Sequence, residues 1–570
     1  MLNRTVRQSP VSAAPACLAY VLPRLGELLF VAVFLGVIFT GPRLLNGDGD
    51  LGRHITIGTY ILTARQIPTA DIFSHTMPGE PLTPHEWLAQ VFFALAHQWM
   101  GLNGVVLLCA LLIALVVALV YQQAARRSGW VLLPVGLAVA AAAAAAIHWL
   151  ARPHLWTMLL LLLWVDALGR LRRGEAKVLW RFPLLMLAWV NLHGAFVAGF
   201  MVWLIEGVGM AWEWLFNRPP EIGRSWWKGW LWVGGSALAV SFLNPVGWRV
   251  WETSLGYVRN RYLVDHTFEY FSPNFHTSSA WPFLLLLLLS IGLLGLGWMR
   301  LRPADVWMLA GWTGMSLYSA RNIPLYALIA APIMAEGIAN AVANAAAAGA
   351  TRPFLKAVGS GQKAEGRKQW AEGSGLLEGW LQREARLLSV ECGLRGHLWA
   401  VGSVLSIAVL LALGIRLDFK AAGNAFDPQV FPVEAVNWIE THPLPGKGFN
   451  HFPWGGYLLY RLWPGGQVFI DGQTDFYGEA LTRQYEQVIS LDEGWQAVLA
   501  QYEVEWLLIP RQSLLARTLA LDANWQIAYQ DDVAILFTAS RRASKSLFTH
   551  PTSHFPLSTS HFLPSSHGAT

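Results

Sequence analysis

The sequence predicts an α-helical polytopic membrane protein, a bundle of about 11 transmembrane helices followed by a small C-terminal α/β soluble domain. Three observations carry that reading. Hydrophobic residues make up 54% of the chain and charged residues only 14%, whereas a soluble globular chain carries about a quarter charged residues. The mean hydropathy is +0.38. Apolar runs long enough to cross roughly 30 Å of hydrocarbon recur up to residue 415. The 30 tryptophans fit the same picture, because Trp concentrates where one ring edge is apolar and the other wet. The net charge of +5 fits a loop bias rather than a nucleic-acid footprint, since no dense basic stripe with interleaved aromatics occurs. Cys17, Cys109 and Cys392 are isolated and form neither a disulfide framework nor a zinc set.

Residues 1–24 read as a cytoplasmic N-terminus with Arg4, Arg7 and Arg24 ahead of the first apolar stretch. Gly41-Pro42-Arg43 offers no small-residue cleavage site, so the stretch reads as an uncleaved first span. The expected spans lie at about 25–42, 103–121, 129–149, 155–170, 179–193, 195–215, 228–243, 281–298, 304–319, 322–345 and 398–416. The pair around Asn191 to Gly194 reads either as one broken helix or as two short ones. Residues 346–397 form a linker rich in Lys and Arg, with an amphipathic helix or a plain solvated stretch over Leu376 to Val390. Residues 426–540 switch to short apolar runs. Gln467 to Ile470, Trp506 to Ile509 and Val533 to Phe537 read as strands, and Glu434 to Glu440 and Trp495 to Tyr502 as helices. About 110 residues is a normal size for one soluble core. The tail 541–570, rich in Ser, His, Thr and Pro, is expected to be disordered.

Positive charge sets the topology. Arg126-Arg127, Arg170 to Lys177, Arg218 to Lys228, Arg300 with Arg302, and the insert 346–397 fall in alternate connections. Placing them inside puts the N-terminus in the cytoplasm and everything after residue 416 outside. The remaining connections are then external, and the unusual residues collect there. Loop 43–87 holds Asp48, Asp50, His54, His85 and Glu86. Later turns bring Arg152-Pro153-His154, Asn191-Leu192-His193-Gly194, Asn244-Pro245, Asp265, Glu269 and Arg321-Asn322. Ionisable groups near hydrophobic depth are costly and face a protein interior or a wet cavity.

Asp48 and Asp50 stand one residue apart, flanked by Gly47, Gly49 and Gly52. Two carboxylates so close repel, and one holds its proton more tightly unless a cation is near. A divalent ion such as Mg or Mn, or an Arg from another loop, would relieve that repulsion. The competing reading is a solvated Asp-Gly turn. Glu86 is a second candidate carboxylate, or simply an acid favoured at a helix start. His54, His85, His154 and His193 have no zinc spacing, and His85-Glu86 lacks the second His of a metalloprotease helix. His193 beside Asn191 is the best placed to line a cavity, at an expected helix break. Arg152 and Arg321 suit phosphate oxygens by their forked geometry, with interface snorkelling and carboxylate pairing as the rival roles. Asp471 and Asp475 follow an expected strand and read as turn residues before acceptor-recognising ones.

The run from Gly52-Arg53-His54 through Ile67-Pro68, Asp71, Phe73-Ser74-His75-Thr76 and His85-Glu86-Trp87-Leu88 resembles the first external loop of the GT-C superfamily of membrane glycosyltransferases. That superfamily includes protein mannosyltransferases and aminoarabinose transferases, and the pattern is nearest to a set of bacterial members. Arg152-Pro153-His154, Asn191 to Gly194, Asn244 to Trp248, Arg321 to Leu325, Trp454 to Tyr457 and Val468 to Gly472 resemble the same set, in order. The departure is Gly52-Arg53, where the pattern has an aromatic pair.

The resemblance implies a polyprenyl-phosphate sugar donor used on the external face, with Asp48 or Asp50 as base or metal ligand. Glu86 is the further catalytic candidate, and His54, His85, Arg152, His154, Asn191, His193, Arg321 and Asn322 are substrate-binding candidates. A transporter or flippase of a lipid-linked substrate is the second reading, although no two-fold repeat of spans is visible. An inactive scaffold is the third.

Overall fold

A computed structural model of the chain describes residues 18–216, 224–295, 297, 299–347, 365–395, 397–419 and 423–540. The disorder expected for 541–570 and the expectations on Arg4, Arg7, Cys17 and Arg218 lie outside the described residues, as does part of the linker. The described chain divides into two compact units, one drawn from Met1–Val433 and Phe452–Thr482, the other from Glu434–His451 and Arg483–Thr570.

The first unit is a multi-pass helical bundle. Among the described residues, six helices are long and apolar enough to cross a membrane: Ala19–Phe39, Leu102–Ser128, His154–Arg172, Gly194–Phe216, Ser278–Gly295 and Ala320–Asn344. A seventh arises if Gly379–Gly393 and Leu398–Ala412, bent by 63°, count as one span. Several expected spans are present as shorter helices. Arg181–Leu192 has 12 residues and Pro303–Tyr318 has 16. At 1.5 Å per residue, 12 residues reach only about 18 Å, short of a hydrocarbon core. Arg224–Ser241 has 18 residues and begins with Arg224 and Lys228. The doubtful pair is broken at His193, whose backbone is extended (φ −164°, ψ 139°) between Arg181–Leu192 and the next helix.

The segment expected as a loop, 43–87, is largely folded. Gly41–Asn46 and Leu51–Ala64 are helices, and Trp87–Met100 follows directly. Leu51–Ala64 buries both apolar residues and Arg53, His54 and Thr56. It does so because glycines allow backbones to meet. A side chain at Gly52 would strike the carbonyl of Gly456, and one at Gly58 the carbonyl of Gln90. Helix Leu51–Ala64 is thereby wedged between Gly455–Leu462 and Trp87–Met100. The expected strand at 467–470 joins no sheet. Val468 instead exchanges backbone bonds with the first segment, donating to Phe73 (3.2 Å) and accepting from His75 (3.1 Å). Asp71 accepts from the backbone of Phe73 and Ser74 and from the Ser74 hydroxyl (2.6 Å), which explains the local Asp-x-Phe-Ser pattern as a turn.

Far from this segment along the helices, charges pair among themselves. Arg127 bonds Glu336 (2.9 Å) and Asp305 (3.2 Å), and Arg172 bonds Glu213 (2.5 Å). The linker helix Glu365–Gly393 is tied to the bundle by its glutamates. Glu384, 1% exposed, accepts from the amides of Val131 (2.7 Å) and Leu132 (3.2 Å) at the start of a helix. Glu391 accepts from Leu25 (3.1 Å) in the same way. A carboxylate suits the free amides and positive dipole of a helix N-terminus. Trp380 adds an edge contact to Trp130 at 4.6 Å.

The second unit holds a four-stranded mixed sheet, order β1-β2-β4-β3, from β1 (Lys447–Asn450), β2 (Val504–Pro510), β3 (Trp525–Gln530) and β4 (Ala534–Ala539). β1 runs parallel to β2, and the other pairs are antiparallel. The expected strands at 506–509 and 533–537 are β2 and β4. β1 and β3 were not evident, because Lys447–Asn450 is short and β3 is mostly exposed.

Replacing Glu384 by Ala leaves the buried Val131 amide and the part-buried Leu132 amide unpaired. It should destabilise the bundle by about 1–3 kcal/mol, read as a lower unfolding temperature in detergent, with Glu384→Gln losing less.

Candidate active site

The turn Gly47 to Asp50 closes the gap between helices Gly41–Asn46 and Leu51–Ala64. Its two carboxylates converge on one guanidinium. Arg152 places Nε 2.9 Å from Asp48 and Nη2 2.5 Å from Asp50, and its Nη1 bonds Glu269. Three connections that lie far apart in sequence thus meet on a single cation. Asp50 reaches it because Gly472 has no side chain: a Cβ there would overlap its carboxylate. Arg321 stands beside the group, 3.8 Å from Glu269, bonded to the Tyr270 hydroxyl (2.8 Å) and stacked over that ring at 5.2 Å.

The second grouping centres on Glu86. Around its carboxylate stand His193 Nε2 (3.7 Å), His54 Nδ1 (3.8 Å), Arg53 Nη2 (3.8 Å) and His85 Nε2 (3.9 Å). Arg53 also bonds Gln473 (2.9 Å) and lies 3.7 Å from Asp471, and His85 lies 3.7 Å from Asp475. Asp471 and Gly472 link the two groupings, one meeting Arg53 and the other Asp50.

Two of the nominated residues stand apart from these groups. His154 Nε2 is turned to the backbone carbonyl of His148 (2.6 Å), and Asn322 donates to the carbonyl of Met315 (3.2 Å). Asn191 accepts from the Trp87 indole (2.8 Å) and donates to the carbonyls of Leu187 and Leu243. With Trp87, Leu88, Leu184, Phe242 and Pro245 it lines an open, mainly apolar groove of about 640 Å³. Arg53, Gln473, Glu269 and Tyr270 were missed as site residues. Arg53 had a signal in the sequence, namely its departure from the resembled pattern, while Glu269 was one acid among several in a long loop.

Burial and charge set the protonation. Burial pushes the Asp48 carboxyl up to about 7 against the pull of Arg152, with Asp50 and Glu269 adding to the rise. For Glu269 burial also raises, but Arg152 and Arg321 together outweigh it and hold the group at about 2. Burial likewise lifts Asp471 to about 6, against Arg53. Burial, reinforced by Arg53 and Arg152, holds His54 well below its ordinary range and therefore neutral. A carboxyl that titrates near neutrality, a fifth exposed at 19%, can exchange a proton with a bound hydroxyl.

The residues do not fit the divalent ion considered for Asp48 and Asp50. Both Oδ2 atoms are committed to Arg152, whose guanidinium stands where such an ion would sit. Among the described residues no set of three or more His, Cys, Asp or Glu is gathered as metal ligands.

Two outcomes follow. Arg152→Leu strands three carboxylates and should cost about 3–5 kcal/mol, measured by thermal or denaturant unfolding. Asp48 is raised from 3.8 to about 7, so between those values the folded chain keeps a proton that the unfolded chain has lost. Stability contributed by this group is full below pH 4 and is lost as pH rises to about 7. Asp48→Asn should flatten that part of the stability–pH curve.

No protein-family model matches the chain, and no curated protein matches it. Among solved structures it is similar to the archaeal oligosaccharyltransferase AglB from Archaeoglobus fulgidus, in complex with an inhibitory peptide and a dolichol-phosphate. That likeness has 11% identity and a TM-score of 0.48, over 85% of this chain and 69% of the other. The chain is also similar to ArnT from Cupriavidus metallidurans bound to undecaprenyl phosphate, at 14% identity and a TM-score of 0.42, over 91% of this chain and 98% of that one.

Proposed function

We propose that this protein transfers a sugar from a polyprenyl-phosphate-linked donor to an acceptor hydroxyl, at the non-cytoplasmic membrane face. The observation that carries this is the meeting of Asp48, Asp50 and Glu269 on Arg152, with Arg321 beside them. Glycosyl transfer needs a carboxylate to take the acceptor proton and a cation to steady the departing phosphate. Asp48, poised near neutrality and partly open, is the base. Asp50, 4% exposed and pressed on Gly472, holds Arg152 in place. Arg152 is spent on carboxylates, so the phosphate role falls to Arg321, whose side chain is 36% exposed. The groove supplies room for the prenyl tail. Trp87 and Asn191 line it, and they stand one and two residues from Glu86 and His193 in sequence. A tail laid there leaves its phosphate at the polar groupings.

Asp48→Asn should lower transfer from a polyprenyl-phosphate sugar by about 10²–10⁴-fold, with donor binding retained in a radiolabelled-lipid assay. Arg321→Ala should weaken transfer by about 10²-fold or more. If wild-type protein in nanodiscs gives no transfer to any of a panel of lipid, peptide and saccharide acceptors, the reading falls.

Orientation has its own test. Cys392 is exposed on the linker helix and Cys109 is buried. An impermeant maleimide should label Cys392 only after cells are permeabilised; labelling in intact cells would invert the topology and move the site to the cytoplasm.

A further inference from the structure

Glu86 sits among imidazoles whose hydrogen bonds fix which nitrogen carries the proton. The Trp189 indole N–H can only donate, and it donates to Thr157 Oγ1 at 2.8 Å. Thr157 Oγ1 lies 2.8 Å from His193 Nδ1. Among the described residues Nδ1 is the one acceptor within reach of the hydroxyl's own proton, so the arrangement assigns Nδ1 as acceptor and the His193 proton to Nε2. That N–H is the atom directed at Glu86 Oε1, 3.7 Å away. All three members are buried: Trp189 is 0%, Thr157 2% and His193 5% exposed.

The opposite holds on the other side of the same oxygen. His85 Nδ1 lies 3.1 Å from the Thr83 carbonyl, which can only accept, so Nδ1 carries the proton and Nε2 a lone pair. That lone pair faces Glu86 Oε1 at 3.9 Å. Glu86 therefore has a fixed donor on one flank and a fixed acceptor on the other. The remaining neighbours of the carboxylate are the Arg53 guanidinium and the neutral His54 imidazole, and Asp475 stands behind His85 at 3.7 Å.

We propose that Trp189, Thr157 and His193 hold Glu86 as a second proton-transfer group of the site, with His85 as its outlet. The proposal rests on the glycosyl-transfer reading above. A proton that Glu86 Oε1 takes from a bound substrate hydroxyl, whose O–H bond breaks as the carboxyl O–H forms, passes to His85 Nε2. His85 becomes an imidazolium that still donates from Nδ1 to Thr83 and is steadied by Asp475, and Glu86 returns to a carboxylate. His193 never needs to titrate, because its role is to present Nε2–H. It is a positioning residue, as are Thr157 and Trp189. His85, 16% exposed on its side chain, is the member that can pass the proton onward.

The test combines ring-¹⁵N histidine NMR with transfer assays on the full chain in nanodiscs, using His193→Asn and His85→Asn to assign the signals. The expected spectrum has His193 protonated at Nε2 and His85 at Nδ1. Thr157→Val should release the His193 preference, and Thr157→Ser, which keeps the hydroxyl, should restore it. Glu86→Gln should lower transfer by about 10²-fold with donor binding retained. His193 protonated at Nδ1 in the wild type, or unchanged in Thr157→Val, overturns the proposal whatever the activity. An active wild type whose transfer is untouched by Glu86→Gln but abolished by Asp48→Asn overturns it alone and leaves the glycosyl-transfer reading standing. A wild type without transfer overturns both.

Discussion

One guanidinium shared by three carboxylates is the constraint on which the site depends. Asp48 and Asp50 share one connection and Glu269 comes from another more than two hundred residues on, and none would tolerate the others' charge without Arg152. The cation therefore does more than neutralise. By binding Nε, Nη1 and Nη2 to separate partners, it fixes the turn at Asp48, the register of the helix that follows, and the loop bearing Glu269. Each partner is held in a direction that a compact ammonium could not impose.

That arrangement requires backbones to come unusually close, and glycines supply the room. Gly52 against Gly456 and Gly472 beneath Asp50 are contacts at which any Cβ would collide. The Gly52-Arg53 pair, odd against the resembled pattern, becomes intelligible in this light. Gly52 admits the Gly455–Leu462 helix, and Arg53 points into the interior to meet Glu86, Asp471 and Gln473. The second guanidinium does for the Glu86 grouping part of what Arg152 does for the first. Elsewhere in the bundle Arg127 and Arg172 pair with Glu336, Asp305 and Glu213, and Glu384 and Glu391 are satisfied by backbone amides.

The helical membrane architecture and the C-terminal sheet were legible in the sequence, because long apolar runs and short alternating ones differ in length and period. Three things were not. Helix Leu51–Ala64 hid inside a supposed loop, since its stabilisation comes from glycine-mediated packing rather than from a long apolar face. The run 467–470 looked like a strand from its composition, yet its partner is the first segment through a single bridge, a long-range pairing that no local pattern encodes. The third is helix length: among the described residues six or seven of the expected spans are helices long and apolar enough to cross, and others are shorter, because hydropathy marks apolar segments but not where each helix ends. Within the site, residue types and loops were readable while partners were not. An arginine from another loop was one of two stated ways to relieve the Asp48–Asp50 repulsion, but nothing in the chain told that Arg152, rather than Arg321, would take it.

That choice separates the two aspartates. A group that serves as a base must be reachable, must be able to gain and lose a proton near neutral pH, and must not be indispensable to the scaffold in its charged form. Asp50 is neither reachable nor dispensable to the scaffold: it is almost wholly buried, it makes the 2.5 Å bond to Arg152, and its carboxylate is packed on Gly472. Asp48 makes the longer ion-pair contact, keeps a fifth of its side chain open, and is lifted by burial and by its two acidic neighbours to about 7. When Asp48 takes a proton, Arg152 still has Asp50 and Glu269, so the framework survives the step. On the proposed reading, three carboxylates on one cation are therefore not redundant. Two keep the guanidinium in place so that the third is free to change its charge.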